Sequence, residues 1–295
     1  TKKTLMKKLF LSLTSLVMVF AVASCDIIDK DQTLLPAPTN VTPDNPDDNP
    51  SEIDITQTHT EKYVLAEEFT GQKCLNCPKG HRKLAALKEQ YGKRLTVVGI
   101  HAGPGSLVPP LFRTEAGDAY YSKFANNTPL PALMVSRKKF GSSYVYDKSY
   151  KTWDVPIAEQ MEQKAKINIF AVAEYTDTQK IKVTVKGKIL EGNTLPKSMV
   201  QVYLLEDKLI APQVDGNTTV ENYEHNHVLR GAVNGIWGEE FVNLKDYLYT
   251  YAVEPLSGMS FVAENYSIVA FVYDVQTFEV YDVVHVKINP QSDGK

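Results

Sequence analysis

Hydrophobic periodicity changes character once in this chain, near residue 166, and that change constrains the fold more than any other feature. Before it, short apolar runs alternate with stretches of helical spacing. Residues 63–69 read as a strand. Residues 78–91 read as a helix with Leu84, Leu87 and Tyr91 on one side, and 95–100 as a buried strand. A Gly/Pro-rich loop over 103–110 leads to a helix over 114–125 with Thr114 as N-cap. Strands over 132–136 and 140–146 and a helix over 155–166 complete an α/β order. After residue 166 helical spacing nearly vanishes. Ile181, Val183, Val185 and Ile189 alternate with Lys182, Thr184, Lys186 and Lys188. Similar segments lie at 167–175, 199–205, 261–264, 266–274 and 278–288. Several short strands in a row predict an all-β domain of the Ig-like sandwich kind.

The segment before these two regions has a different purpose. Lys2, Lys3, Lys7 and Lys8 precede a nearly continuous apolar run over 9–23, too short to span a bilayer comfortably. The run ends in Val22-Ala23-Ser24-Cys25, which resembles a bacterial lipobox. The resemblance implies a lipoprotein signal peptide over 1–24 and acyl chains such as palmitate on Cys25, which would hold the protein to a membrane. Residues 25–60 carry five prolines among many Asp, Asn and Thr and read as a disordered tether. The expected organisation is therefore a signal peptide (1–24), a lipidated cysteine and tether (25–60), an α/β domain (61–166) and a β-sandwich (167–295). With 32 basic and 35 acidic residues there is no basic excess, and no nucleic-acid partner is expected.

Of the three cysteines, lipidation of Cys25 leaves Cys74 and Cys77, spaced C-x-x-C where a strand gives way to a helix. A helix N-terminus and the adjacent Lys73 both stabilise a thiolate at Cys74. Two other readings exist. A zinc site needs two more ligands, of which His81 is the one near candidate, and no second C-x-x-C is present; no metal or other cofactor is expected. A purely structural disulfide is the second, although so short a loop stabilises little.

The run Val64-Leu65-Ala66-Glu67-Glu68-Phe69 followed by Cys74-Leu75-Asn76-Cys77-Pro78 resembles the thioredoxin superfamily. The resemblance implies a buried proton-accepting acid six residues before the first cysteine, which is Glu68. Glu67 is the alternative, since strand alternation lets only one of the pair face a given side. Thr128-Pro129-Leu130-Pro131-Ala132-Leu133 resembles the loop whose cis-proline precedes the third core strand. Pro131 would be that proline, and Leu130 would present its backbone to a substrate. Lys73 replaces the superfamily's usual tryptophan, and the insertion over 102–113 is long. Together with Pro131, Arg137 and His225-Asn226-His227-Val228-Leu229-Arg230, these motifs resemble the twenty-eight-kilodalton outer-membrane lipoprotein family of Bacteroidetes. That family joins a thioredoxin-like domain to a β-rich one and is placed at the outer membrane, on its periplasmic or cell-surface side. His225 and His227 could share one side of a strand, but a polar loop entering a strand, with Arg230 paired to an acid, is the favoured reading.

Two functions follow as expectations. In one the chain is a lipid-anchored thiol–disulfide oxidoreductase acting on protein thiols or disulfides, with Cys74, Cys77 and Glu68 catalytic. In the other it is a non-catalytic, adhesin-like surface protein whose disulfide is structural.

Overall fold

The computed structural model describes residues 51–177 and 179–290. The signal peptide, Cys25 and the tether up to residue 50 lie outside the described residues. In chain order the elements are β1 (Val64–Thr70), α1 (Cys77–Tyr91), β2 (Leu95–His101), α2 (Glu115–Tyr120), β3 (Ala132–Val135) and α3 (Asp154–Met161). There follow β4 (Ile167–Asp177), β5 (Lys180–Ile189), β6 (Ser198–Glu206), β7 (Leu209–Asp215), β8 (Thr218–His225) and β9 (Val228–Ala232). The last are β10 (Glu239–Glu240), β11 (Asp246–Ala252), β12 (Tyr266–Asp274) and β13 (Val280–Lys287). The structure is mostly β-sheet with a few helices.

One sheet runs through both halves of the sequence, in the order β13-β12-β6-β9-β2-β1-β3, with β10 also on β6. β1 and β2 are parallel from Val64↔Leu95 to Thr70↔His101, and β3 runs antiparallel to β1. β9 closes the other edge of β2 at Gly99↔Val228, with Gly99 N–H donating to His227 O at 2.8 Å. An open β2 edge presents unpaired N–H and C=O groups, and β9 supplies a partner to that edge at Gly99. The change of periodicity near residue 166 is thus not accompanied by a break in the sheet. The second half does not build both sheets of a sandwich for itself. It packs a three-stranded sheet, β11-β5-β4, onto a sheet it shares with the first half.

Alternation assigns the faces of the shared sheet. Leu65, Phe69, Val98, Ile100, Tyr203, Leu205, Val269 and Phe271 form one core on a single face, covered in part by α2. The opposite face carries two cores. Val64, Ala66 and Val97 meet Leu84, Trp153 and Ile157 of the helical layer. Val200, Val202, Ile268 and Ala270 meet Val183, Val185 and Tyr247 of the three-stranded sheet. With both faces covered, every residue of β1 is buried. Glu67 and Glu68 are therefore both inside, on opposite faces, which corrects the expectation that only one would be.

On the first face Arg137 lies wholly buried against Glu67. Its Nε and Nη2 donate to the two carboxylate oxygens at 2.8 and 2.9 Å, and Nη2 also donates to the Tyr203 hydroxyl at 2.6 Å. The guanidinium sits 4.9–5.4 Å from the ring centroids of Tyr120, Phe124, Phe271 and Tyr273. A second buried pair joins Arg230 to Glu206, as the reading of Arg230 anticipated.

Other elements differ locally from the expectation. The 140–146 strand is reduced to single bridges. The helix from 155 stops at Met161, and residues 263–265 form a 3-10 turn where a strand was expected. Residues 51–60, which composition assigns to the tether, lie against the body. Ser51 N–H donates to Thr184 Oγ1 (3.0 Å), His59 N–H to Asn168 Oδ1 (2.9 Å), and the His59 ring stacks on Tyr63.

Candidate functional site

β1 ends at Thr70, and the chain turns through Gly71 to bring Cys74 and Cys77 together as a disulfide with Cα atoms 5.4 Å apart. Gly71 is required there, because a Cβ would lie 2.5 Å from Leu107 O and 2.7 Å from a Val108 methyl. Cys77 opens α1 and Pro78 occupies its first turn, where a missing N–H costs nothing. Leu75 is 53% exposed, yet Cys74 is only 3% exposed and Cys77 is fully buried.

Two segments cover this turn. Leu107, in the 102–113 insertion, accepts a hydrogen bond from Lys73 N–H at 2.9 Å. The β7–β8 hairpin lies across the other side, where Val214 N–H donates to Gln72 O (2.8 Å) and Gly216 N–H to Leu75 O (3.0 Å). The buried Gln213 side chain donates to Gly71 O and Cys74 O at 3.2 and 3.3 Å. Arg82 of α1 pairs with Asp215 near the hairpin tip at 2.9 Å.

Glu68 faces α1 one turn beyond Cys77. A Cβ on Gly80 would come within 2.5 Å of Glu68 Oε1 and 2.9 Å of the Trp153 ring, so glycine gives the carboxyl its place. Oε1 has no hydrogen-bond partner in the protein, and burial pushes the carboxyl pKa well above its usual range. Beside it is a cavity of about 260 Å³ whose wall includes Glu68, Thr70, His81, His101, Tyr223 and His225. His81 Nε2 is 2.8 Å from Thr70 Oγ1 and 3.8 Å from Glu68 Oε1, and its Nδ1 is 2.9 Å from the Tyr223 hydroxyl. Burial, and then the neighbouring His225, lower the His81 pKa to about 3. The His101 and His225 rings stand 5.5 Å apart with Phe112 against both. Both are held neutral by burial, His225 with a pKa lowered to about 4.

Pro131 and Leu130 are half-buried, and the bond between them is cis. Because Ala132 pairs with Phe69 in antiparallel register, Pro131 stands at the sheet end from which the cysteine turn leaves β1. Leu130 packs toward Gly103 of the insertion. His225 and His227 do not share a side. His227 adopts φ +56° beyond the end of β8 and turns to Asp207 (3.0 Å) and the His285 ring, while His225 faces His101. Among the described residues no group of three or more His, Cys, Asp or Glu is disposed to hold a metal, and no helix is long and apolar enough to cross a membrane.

Sequence alone gives no sign of Gln213 or His101, points to Tyr223 only as a neighbour of His225 and His227, and to His81 only as a metal ligand. The β7–β8 hairpin, whose local signal is Asp215-Gly216, goes unread. Nothing local placed that hairpin over residues 71–75.

The family model for outer membrane protein Omp28 matches residues 117–292, more than half of the chain. A crystallised domain of the outer membrane lipoprotein Omp28 from Porphyromonas gingivalis is 84% identical over 43% of this chain and 100% of that one, with a TM-score of 0.37. HBP35 of Porphyromonas gingivalis shares the fold at 15% identity and a TM-score of 0.61, over 81% of this chain and 80% of that one. No curated protein matches the chain.

Proposed function

From a chain that belongs to the Omp28 outer membrane protein family, and hence from a lipoprotein of the outer membrane, we propose a thiol–disulfide oxidoreductase built on a thioredoxin-like arrangement of β1, α1, β2 and β3. The observation that carries this reading is the Cys74–Cys77 disulfide at the start of α1 with the buried Glu68 carboxyl of β1, its Oε1 without a hydrogen-bond partner, facing that helix one turn on. In the reduced protein Cys74 attacks a substrate disulfide and forms a mixed disulfide. Once the Glu68 carboxyl has released its own proton to solvent, Cys77 gives its proton to Glu68 and attacks Cys74, the disulfide re-forms, and the substrate sulfur leaves as a thiolate that solvent protonates. A carboxyl raised by burial suits that exchange, because its affinity for a proton approaches that of a thiol. Leu130 and Pro131 supply the backbone against which a substrate strand would lie, and Cys25 carries the anchor.

The test is the reduction potential of the full-length protein in glutathione buffers. A value between roughly −120 and −270 mV lies in the band of working thiol catalysts. Cys77→Ser should then accumulate mixed disulfides, and Cys74→Ser should abolish turnover. A value below about −300 mV would make the bond structural.

The second reading, a surface-binding, adhesin-like protein with a structural disulfide, is favoured by the burial of Cys74 under the β7–β8 hairpin. The two readings differ in whether that cover opens. Gln213→Ala removes the side-chain donor that Gly71 O and Cys74 O share in addition to their backbone partners, at a cost of about 1–1.5 kcal/mol to the covered state. Reduction by dithiothreitol should then accelerate about 10-fold. An unchanged rate would mean that the hairpin does not control access to the disulfide.

A further inference from the structure

The buried Glu68 carboxyl needs a route by which protons reach solvent, because a buried acid that accepts one proton per cycle must lose it again. This inference rests on the oxidoreductase reading and extends it. We infer that the His81 imidazole and the Tyr223 hydroxyl form that route, with His81 passing protons between Glu68 inside and Tyr223 at the surface.

The geometry is a bracketed imidazole. His81 lies on α1, four residues after Cys77. Its Nε2 faces inward to Thr70 Oγ1 at 2.8 Å and Glu68 Oε1 at 3.8 Å, and its Nδ1 faces outward to the Tyr223 hydroxyl at 2.9 Å. Glu68 Oε1 has no other partner, and a carboxyl movement of about 1 Å toward the adjoining cavity brings it into hydrogen-bond range. Tyr223 is half-buried on β8 and forms part of the cavity wall, so the relay passes from His81 to a residue that is in part open to solvent. Burial keeps Glu68 and His81 neutral together, so they are not an ion pair. A neutral imidazole is suited to relay, since it can accept a proton at one nitrogen and release one from the other. The other titratable groups around it are Arg82 and Lys88 on α1, His101 on β2, Asp215 on β7, Glu224 and His225 on β8, and His227 just beyond it.

The step balances as follows for a dithiol reducing the protein. A dithiol thiolate, its proton already given to solvent, attacks Cys74 Sγ. The Cys74–Cys77 bond breaks, and Cys77 leaves with the electron pair and takes the Glu68 proton. Glu68 recovers a proton from His81 Nε2 while His81 Nδ1 takes one from Tyr223, which is reprotonated by solvent. The second dithiol sulfur, its proton passing to the departing Cys74 sulfur, then attacks its partner in the mixed disulfide and releases Cys74 as a thiol. The dithiol is oxidised by two electrons and the protein disulfide is reduced by two.

The experiment follows reduction of the full-length protein in detergent by dithiothreitol, against pH and in heavy water. His81→Gln is expected to slow the proton-dependent phase about 100-fold and to let added imidazole buffer restore it, since the vacated wall adjoins the cavity. Tyr223→Phe, which keeps ring and packing, is expected to slow it about 10-fold, and it decides the matter if His81→Gln fails to fold. Glu68→Gln is expected to be at least as slow as His81→Gln. Wild-type rates in His81→Gln and Tyr223→Phe beside a slow Glu68→Gln overturn the relay and leave the oxidoreductase reading standing. A wild-type rate in Glu68→Gln overturns both. A slow His81→Gln with an unaltered pH profile and no imidazole rescue means that His81 only positions its neighbours, and also overturns the relay.

Discussion

Replacing Arg137 with methionine is expected to cost about 3–5 kcal/mol of stability, more than any other single substitution considered for this protein. Methionine matches the length of the apolar stem but leaves the Glu67 carboxylate buried with no countercharge, at a position with no exposed surface. The Tyr203 hydroxyl loses its donor, and four aromatic rings lose the cation that they surround. Arg137→Lys should recover only part of the loss, because an ammonium cannot make the two-pronged bond to Glu67. Replacing both partners, with Glu67→Leu beside Arg137→Met, should restore much of it, since the penalty comes from the orphaned charge. Urea unfolding measures all three. Because Glu67, Tyr120, Phe124 and Arg137 come from one half of the sequence and Tyr203, Phe271 and Tyr273 from the other, both halves should unfold in one transition that shifts as a whole. A loss below about 1 kcal/mol, or two separate transitions, would contradict this account of how the halves are joined.

Acidification is expected to unfold the protein between about pH 4 and pH 5. His81, His101, His225 and His285 are all kept neutral by burial in the folded state, with pKa values lowered to about 3 for His81 and about 4 for His225 and His285. In the unfolded chain each titrates near 6.5. A lowered histidine contributes stability that is full above pH 6.5 and is lost as pH falls, because the unfolded chain binds the proton first. Glu68 and Asp282, both raised by burial, work in the opposite direction above their unfolded values and release up to two protons on unfolding. His59, held by Asp282, also opposes the trend. Unfolding near pH 5 should therefore take up about two protons, a slope of about 3 kcal/mol per pH unit, steepening once carboxyls are protonated in both states. Thermal melting across pH 4–8 measures the slope, and His225→Gln should reduce the uptake by about one proton. Stability that stays level from pH 7 to pH 5 would refute it.

Much of the candidate site was legible before the fold was known. The cysteine pair follows from local spacing, and Glu68 and Pro131 from the resemblance to the thioredoxin superfamily; in the structure Cys77 opens a helix, Glu68 faces it and Pro131 precedes β3. Arg230 found its acid. His81 was weighed only as a metal ligand, because its hydrogen-bond partners Thr70 and Tyr223 lie 11 and 142 residues away in sequence. The pair Glu67 and Glu68 misled for a related reason. Alternation states which residues oppose each other across a strand, but not that both sides will be covered.

By itself the sequence determined the elements with a strong period: β1, α1 and β2 on one side of residue 166, and β4, β5, β12 and β13 on the other. In these the side-chain pattern and the backbone period coincide, so each segment states its own conformation. The tertiary structure alone decided that β9 joins β2, that one core spans both halves, and that the β7–β8 hairpin covers the cysteine turn. β8 is exposed along nearly its whole length and so has no alternation to read. The contact from Gln213 to Gly71 spans 142 residues, and no local period records a hydrogen bond made at that separation.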